Sequence, residues 1–262
     1  MTANPPPLAP NALFNQSLAK GLQVLGAFNT GHRHMSLAEI AQRTGMSKAS
    51  AQRSVHTLQV LGYIGKHPGS QRFCLQPRVV ELGFNYLEGH PLIAAAHGYL
   101  AQLAKDSGET ATLTQPNGEH MLYLAQVLTT QHIPILTPVG SQVPMYASSC
   151  GRAYLSSLPE AHWQACLERM QRPALTRCTR THIPEILEQL QRCKNKGYAI
   201  NCEELFLGDM GIAAPIFNIR KQVVGAVHVA PPASRWSMPQ AEATLSPLVM
   251  ECARAISRLT LL

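Results

Sequence analysis

Basic and hydroxyl-bearing side chains are concentrated in one short stretch, "TGMSKASAQRS", at residues 44–54. The stretch contains Lys48, Gln52 and Arg53, four hydroxyl-bearing residues and no acid. Lysine and arginine bind phosphate oxygens and guanine edges, and glutamine pairs with adenine, so these residue types can read duplex DNA. Small apolar residues recur among them at helical spacing, which predicts a helix with one apolar and one basic face.

The net charge of the chain is unevenly divided along its length. Residues 1–75 contain seven bases against one acid, a net charge of +6, whereas the remainder contains fifteen bases against fourteen acids, a net charge of +1. A solvated protein surface normally mixes charges of both signs. The excess in the first quarter therefore favours a polyanion as its partner, and nucleic acid in particular.

The basic stretch must be positioned by neighbouring elements, and the sequence predicts two helices before it. Ser36 and Glu39 have the S-x-x-E spacing of a capping box, and Gly45 can end the helix that they start. The earlier helix, over 16–29, is predicted by an apolar stripe that we expect to face the core: Leu18, Leu22, Val24, Leu25 and Phe28.

The basic stretch itself is predicted to form a third helix, capped by Ser47. Ala51, Val55 and Leu58 share one face, which we expect to pack on the preceding helices. Two helices joined by a tight turn with glycine form a helix-turn-helix, whose second helix enters the major groove. The residues predicted to contact DNA lie at the start and on the open face of this helix: Ser47, Lys48, Ala49, Ser50, Gln52, Arg53 and His56.

A basic β-hairpin is predicted directly after the third helix. The segment "YIGKHPGSQRFCLQ" contains two short strand patterns around the turn residues Pro68, Gly69 and Ser70. A hairpin in this position is a wing, so the first domain is predicted to be a winged helix. A winged helix used only for protein contacts fits the charge segregation poorly. The wing residues predicted to lie against flanking DNA are Lys66, His67, Gln71 and Arg72.

The second half of the sequence mixes strand and helix patterns. Two strand-like runs flank Asn117 and Gly118, a dipeptide that strongly indicates a hairpin turn. Neighbouring strands with flanking helices predict an α+β fold. After a helix that begins at Pro91, the predicted helices cover 149–170, 182–196 and 239–260, and the predicted strands 198–203, 209–217 and 223–230.

Several segments together resemble the IclR family of bacterial transcriptional regulators. In the first domain they are "SLAKGLQVLGAF", "MSLAEIAQRTGMSKASAQRSVHTLQVLGYI" and "FCLQPRVVELG". In the second half they are "VPMYASSCGRAYLSSLP" and "KGYAINCEELFLGDMGIAAPIFNIRKQVVGAVHVAPPASRW". The resemblance implies a winged helix-turn-helix that is joined by a linker helix to a GAF-like domain, an antiparallel sheet with flanking helices. It also implies that the second domain binds a small organic effector.

The resemblance also sets the expected domain organisation and partners. We predict a disordered, Pro-rich arm over 1–14, a winged helix over 15–76, a linker helix over 77–90 and a GAF-like domain over 91–262. The linker helix of this family helps to pair two chains, so we expect a homodimer or a homotetramer built as a dimer of dimers. A peripheral helix of the first domain is the alternative for 77–90. Operator DNA is the expected partner, with RNA polymerase as a further candidate.

Residues of the effector cavity are carried over from the family position by position. An α-helix N-terminus at 149–157 would favour a carboxylate there, which agrees with an effector that is a carboxylic or aromatic acid. Asn201, His228 and Ala230 depart from the best-known organic-acid sensors of the family, and His228 is either a ligand contact or a core residue. The implied cavity residues are Val143, Met145, Ser149, Cys150, Gly151, Asn201, Gly211, His228 and Ala230. Tyr146 is added to them as an expected wall for an aromatic ring, together with Met145.

Enzymatic and metal-dependent functions find little support in the sequence. It contains no nucleophile elbow, metalloprotease motif, Walker loop or dinucleotide fingerprint, and nothing supplies a base for Cys150. We therefore predict no catalytic residue and no cofactor, with an enzyme acting on a small molecule in the second domain as the alternative. Eleven histidines lack ligand spacing, so no metal site is predicted.

The compartment is also predicted from the sequence. Seven cysteines without a C-x-x-C pair argue against a disulfide framework and indicate a reducing environment. The N-terminal residues lack the basic start and apolar segment of a signal peptide. No run approaches the roughly 18 apolar residues of a membrane span. We therefore expect a cytoplasmic protein without a membrane partner.

Overall fold

A computed structural model describes residues 13–132 and 137–260 of the chain. The chain divides into two compact units, Met1–Tyr86 and Leu87–Leu262. The division falls within the helix predicted as the linker. Nearly all of the predicted N-terminal arm lies outside the described residues. No described helix has both the length and the apolar character that crossing a bilayer would require.

The first unit has the predicted order of three helices and a hairpin. Its core is formed by residues from all of these elements, among them Val24, Ile40, Ala51, Val55 and Ile64. The two strands of the hairpin are antiparallel and pair Ile64 with Leu75 and Lys66 with Phe73. The elements are α1 (Gln16–Gly26), α2 (Leu37–Thr44), α3 (Lys48–Val60), β1 (Ile64–Lys66), β2 (Phe73–Leu75) and α4 (Arg78–Glu88).

The buried face of α1 agrees only in part with the prediction: Val24 and Phe28 are buried and Leu25 packs against the core as expected, but Leu18 and Leu22 do not. Leu18 and Leu22 are 63% and 58% exposed, whereas Val24, Ala27 and Phe28 are buried in the core. Val24, Ala27 and Phe28 form an i, i+3, i+4 row that belongs to the same hydrophobic cluster as the buried residues of α3, and Leu18 and Leu22 lie on a neighbouring row. The sequence contains both apolar rows, so periodicity alone could not select the one that packs.

The second unit is a six-stranded antiparallel sheet with helices on both faces, which confirms the predicted α+β class. The strand order is β5-β4-β3-β8-β7-β6. Helices α5 and α9 pack on one face, and α6, α7 and α8 pack on the other. The elements are α5 (Pro91–Ser107), β3 (Ala111–Asn117), β4 (His120–Val127), β5 (Gln142–Pro144), α6 (Ser149–Ser156), a 3-10 turn (Glu160–His162), α7 (Trp163–Arg169), α8 (Ile183–Lys196), β6 (Ala199–Cys202), β7 (Met210–Phe217), β8 (Val223–Val229) and α9 (Met238–Leu259).

Two elements of the second unit differ from prediction. The single helix predicted over 149–170 is broken into α6, the 3-10 turn and α7. Pro159 lies at this break, where its ring and missing N–H oppose continuation of the helix. The edge strand β5 was not predicted, because three residues are too few to show an alternating pattern. The predicted Asn117-Gly118 hairpin is confirmed, with Asn117 paired to His120.

Candidate DNA interface and ligand site

Three local features set the geometry of the helix-turn-helix. Ser36 Oγ accepts from the Glu39 N–H, and the Glu39 carboxylate accepts from the Ser36 N–H at 2.7 Å, so the capping box is present. Gly45 ends α2 with φ +67°, a backbone conformation that favours glycine. Ser47 Oγ accepts from the Ser50 N–H at the start of α3. These features fix where α2 ends and where α3 begins. Helix α3 then packs on the core through the fully buried Ala51.

The side of α3 that faces away from the core carries free cations. Lys48, Gln52, Arg53 and His56 are exposed, as are Ser47 and Ala49 at the start of the helix. The side chains of Lys48 and Arg53 make no ion pair or hydrogen bond with any described residue. Their charges are therefore available to phosphate groups or base edges.

Ser50 is not on this open face, contrary to the prediction. Its exposed fraction is 9%. It precedes Ala51 and Val55 on the buried side of α3, and its N–H is already bonded to Ser47 Oγ. The residue is part of the helix cap and core, so the expectation that it lies on the open face of α3 is wrong.

Within the wing, one basic side chain is already paired. Arg72 Nη2 donates to both carboxylate oxygens of Glu39 at 2.5 and 2.7 Å, and Arg72 Nε donates to the His34 carbonyl. The Ser36 hydrogen bonds and the Arg72 guanidinium lower the pKa of Glu39 to about 2. Arg72 therefore fastens the wing to the start of α2, which is a role that the sequence did not show.

The other wing residues leave charge available. Lys66 Nζ donates to Gln71 Oε1 at 2.6 Å across the hairpin, and this neutral partner leaves the positive charge of Lys66 uncompensated. His67 is half-buried with its ring edge-on to His34, 4.1 Å between centroids. Contact of Lys66, His67, Gln71 and Arg72 with DNA stays a prediction.

A polar site in the second unit lies between the sheet and the start of α6. Gly211 on β7 is its centre, because a Cβ added there would come 2.6 Å from Ser149 Oγ and 3.1 Å from His228 Nε2. Ser149 is the first residue of α6, and His228 lies on β8, next to β7. The structure therefore brings together three of the predicted cavity residues.

The tautomer of His228 follows from its contacts. Thr112 Oγ1 donates to the His228 carbonyl at 3.2 Å and lies 2.8 Å from His228 Nδ1. We assign the ring proton to Nδ1 from these two contacts: the hydroxyl has one proton, so its donation to the carbonyl leaves Oγ1 to accept from Nδ1. Burial lowers the pKa of His228 to about 4, which keeps the ring neutral. Nε2 is consequently a hydrogen-bond acceptor aimed toward Gly211.

Ser149 supplies the second polar atom of the site. Its Oγ is buried and has no hydrogen-bond partner among the described residues. Leaving a buried hydroxyl without a partner costs about 1–3 kcal/mol, so this group requires an explanation. The neighbouring Ser148 Oγ caps the Gly151 N–H at 3.1 Å, which leaves the first N–H groups of α6 as further donors.

Other predicted cavity residues have structural contacts of their own. Tyr146 donates its hydroxyl to the Pro173 carbonyl at 2.5 Å. A Cβ at Gly151 would lie 2.2 Å from the Met145 backbone, so this glycine permits close packing of α6. Asn201 Oδ1 accepts from the N–H of Glu204 in the following turn.

The remaining predicted cavity residues are apolar or buried. Val143, Met145 and Cys150 belong to the hydrophobic cluster beneath α6, and Ala230 is half-buried after β8. Burial raises the pKa of the Cys150 thiol, so it is protonated at neutral pH. A buried neutral thiol is a poor nucleophile.

Three residues near the site were missed from the sequence. Thr112 orients His228, and the ring of Tyr123 lies edge-on to it with 6.2 Å between centroids. Asp209 precedes β7 and is 8% exposed. The alternation of threonine with apolar residues over 110–114 is a signal that could have placed Thr112 opposite the α5 and α9 core. No comparable pattern marks Asp209.

Because the carboxyl group of Asp209 is buried, we expect the free energy of unfolding to depend on pH. Burial raises its pKa from 3.8 to about 7, so the folded protein binds a proton that the unfolded chain releases. Stability from this group is full below pH 4 and is lost as pH rises through about 7. We expect Asp209→Asn to raise the free energy of unfolding by about 1–3 kcal/mol at alkaline pH and little in acid. Urea unfolding at several pH values measures this, and a pH-independent difference would contradict it.

The fold and the two sites define a class of protein. The first unit is a winged helix with unpaired cations on its recognition helix, and the second is a sheet domain with a buried polar site. Together they describe a DNA-binding regulator with a ligand-binding domain. Residues 17–68 match the IclR helix-turn-helix domain, and residues 84–258 match the C-terminal domain of the bacterial transcriptional regulator IclR. The chain belongs to the IclR family of bacterial transcriptional regulators.

Individual relatives agree with this assignment. The Pca regulon regulatory protein of Pseudomonas putida is 32% identical over 92% of this chain and 82% of its own. An IclR transcriptional regulator from Alicyclobacillus acidocaldarius superimposes with a TM-score of 0.82 and 27% identity, covering 94% of this chain and 99% of its own. An IclR homologue from Microbacterium hydrocarbonoxydans, crystallised with 4-hydroxybenzoate, has a TM-score of 0.74 and 21% identity over 93% and 98% of the two chains. At that identity the last likeness concerns the fold alone.

Proposed function

We propose that this regulator binds operator DNA through α3 and the wing, and that a small hydroxylated organic acid bound beneath α6 controls it. The observation that carries the proposal is the juxtaposition of Ser149 Oγ and His228 Nε2 across Gly211. One atom is a hydroxyl without a partner among the described residues, and the other is the ring nitrogen of His228 that does not contact Thr112. Because Gly211 has no side chain, both polar atoms lie close to its backbone, and the proposed ligand would bond to both.

The chemistry of the site selects the ligand class. An acceptor-only carboxylate cannot bond His228 Nε2, whereas a ligand hydroxyl can donate to it. A carboxylate on the same ligand is favoured near the start of α6, where free N–H groups and the helix dipole are positive. The ring of Tyr123 offers an aromatic wall. 4-Hydroxybenzoate, the ligand of the structural neighbour from Microbacterium hydrocarbonoxydans, contains both groups.

The ligand proposal predicts a selective thermal shift. We expect 4-hydroxybenzoate to raise the melting temperature of the full chain and benzoate, which lacks the hydroxyl donor, to raise it less. At a ligand concentration one hundred times Kd the stabilisation is about 2.7 kcal/mol. Gly211→Ala should abolish the shift, because its Cβ would come 2.6 Å from Ser149 Oγ and would displace that side chain from His228.

The matched control is Gly98→Ala on α5, where an added Cβ meets no atom within 4 Å. This variant should keep the full shift with 4-hydroxybenzoate. A full shift in Gly211→Ala, or equal shifts with benzoate and 4-hydroxybenzoate, would contradict the proposed site. If no acid of an aliphatic and aromatic panel shifts the melting temperature, the ligand class itself is wrong.

Ligand binding acts on DNA only if it favours one arrangement of the paired chains. We infer that the protein works as a homodimer or a dimer of dimers on its operator, in the cytoplasm with the chromosome, where RNA polymerase is a candidate partner. The exposed apolar residues of α4, which include Leu82 and Phe84, support a pairing role for this helix. The enzymatic alternative gains nothing from Cys150, whose thiol is buried and protonated.

A further inference from the structure

The second unit contains an open groove that shares no residue with the site beneath α6. It has a volume of about 1230 Å³. Its walls come from the ends of α6 and α8, the turn between β7 and β8, and the last turns of α9. The groove is larger than the roughly 300–1,000 Å³ of a typical small-molecule pocket and is open to solvent.

Among the described residues, the charged side chains that line the groove are all basic: Lys194, Lys196, Lys221, Arg254 and Arg258. Two of them are neutralised, because Lys194 pairs with Glu160 at 2.6 Å and Lys196 with Glu242 at 2.5 Å. The other three make no ion pair with any described residue. The rim therefore has three uncompensated positive charges.

One of these cations is held in an unfavourable backbone conformation. Lys221 has φ +59°, a region that glycine and asparagine occupy more readily. It ends a tight turn in which the Lys221 N–H donates to the Asn218 carbonyl. Non-glycine residues with positive φ occur more often than elsewhere at binding and active sites. Here that side chain adds charge to the rim.

The floor of the groove is apolar, with Ala214, Pro215, Val223, Met250 and Ala253 among its residues. A phosphodiester backbone carries a negative charge at every nucleotide and has little apolar surface to bury on such a floor. A peptide with acidic and apolar side chains complements both the floor and the rim. A second copy of this chain is a poor occupant, because it offers no exposed acidic cluster in sequence. Its one pair of neighbouring acidic residues is Glu203-Glu204, and Glu204 is fully buried.

We propose that this groove binds an acidic, apolar-containing segment of a partner protein. The segment would place apolar side chains on the floor and carboxylates against Lys221, Arg254 and Arg258. Such a contact gives the regulator a protein-binding surface in addition to its DNA and effector sites. Charge complementarity of this kind contributes to the rate and specificity of association.

The test uses the full chain and a fluorescein-labelled peptide built from Glu and Leu, followed by fluorescence anisotropy. We expect saturable binding that weakens by about tenfold or more in the combined variant Lys221→Glu, Arg254→Glu, Arg258→Glu. The matched control is Lys105→Glu, Arg177→Glu, Arg192→Glu, which reverses three exposed cations outside the groove and should bind as the parent does. A Lys221→Gln, Arg254→Gln, Arg258→Gln variant should lose binding too, and it replaces the first variant if charge reversal impairs folding.

Three outcomes would overturn the proposal. They are absence of peptide binding to the parent chain, an equal loss in the control variant, and retention of binding by the groove variants. A random-sequence DNA duplex is the competing probe. If the groove variants lose affinity for the duplex but not for the peptide, the groove binds nucleic acid instead. The 4-hydroxybenzoate shift should persist in the groove variants, which separates this test from that of the effector site.

Discussion

Glu204→Gln is expected to lower the free energy of unfolding of the second unit by about 3–5 kcal/mol. The side chains of Glu204 and Arg152 are both fully buried, and the two are joined by a pair of 2.6 Å hydrogen bonds. Removing one charge from a buried pair leaves the other in the interior without compensation. An amide cannot replace the carboxylate, because its NH₂ group would face a guanidinium N–H.

A second arginine that binds Glu204 increases the expected loss of stability in Glu204→Gln. Arg180 donates to Glu204 through its guanidinium at 2.5 Å and through its backbone N–H at 3.1 Å. The carboxylate thus links α6, the loop before α8 and the turn after β6. The same turn leads to Asp209 and Gly211, so loss of Glu204 is expected to loosen the ligand site as well.

Tryptophan fluorescence during urea unfolding measures this effect selectively. The two tryptophans of the chain, Trp163 and Trp236, both lie in the second unit. Glu160→Gln is the control, because it removes a pair with Lys194 in which both side chains are about half exposed. Such surface pairs contribute about 0–1 kcal/mol. Equal destabilisation by the two variants would show that burial of the Arg152 pair is unimportant.

Local chemistry explains why the DNA-binding unit was predictable. The capping residues Ser36 and Ser47 and the terminating Gly45 act on neighbours within three or four positions in the sequence. Their spacing is therefore visible before folding. The roles of Ser50 and Arg72 were not visible in this way. Burial of Ser50 depends on how α3 packs, and Arg72 meets Glu39 across 33 positions of sequence.

The ligand site was harder to predict from the sequence, because its geometry depends on contacts between residues that are far apart in the chain. Resemblance to the family pointed to Ser149, Gly211 and His228, but not to the group that orients the histidine. Thr112 lies 116 positions from His228 and reaches it only because β3 and β8 are neighbours in the sheet. No periodicity in the sequence specifies that pairing. The tautomer of His228, and with it the preference for a ligand hydroxyl, therefore required the structure.

DNA binding by this protein is expected to weaken steeply with salt. If the complex makes 6–10 phosphate contacts, affinity should fall by roughly 10³–10⁵ between 50 and 200 mM salt. Lys48→Ala with Arg53→Ala should make the slope of log K against log salt less steep by about 2, because each phosphate contact contributes about 0.9 to it. The control is the double variant Lys105→Ala, Arg192→Ala, which removes two exposed cations of the second unit. It should leave the slope unchanged.

Arg53 can be tested for base contact separately. A duplex selected by the protein from a random pool serves as the specific probe, and an unselected duplex serves as the non-specific one. If Arg53 contacts a base edge, Arg53→Ala costs about 1–3 kcal/mol on the selected duplex and less on the other. Equal losses would assign Arg53 to phosphate alone. If the affinity of the parent chain for DNA does not change with salt, the free cations of α3 do not bind the DNA backbone. The assignment of this face as the DNA interface would then be wrong.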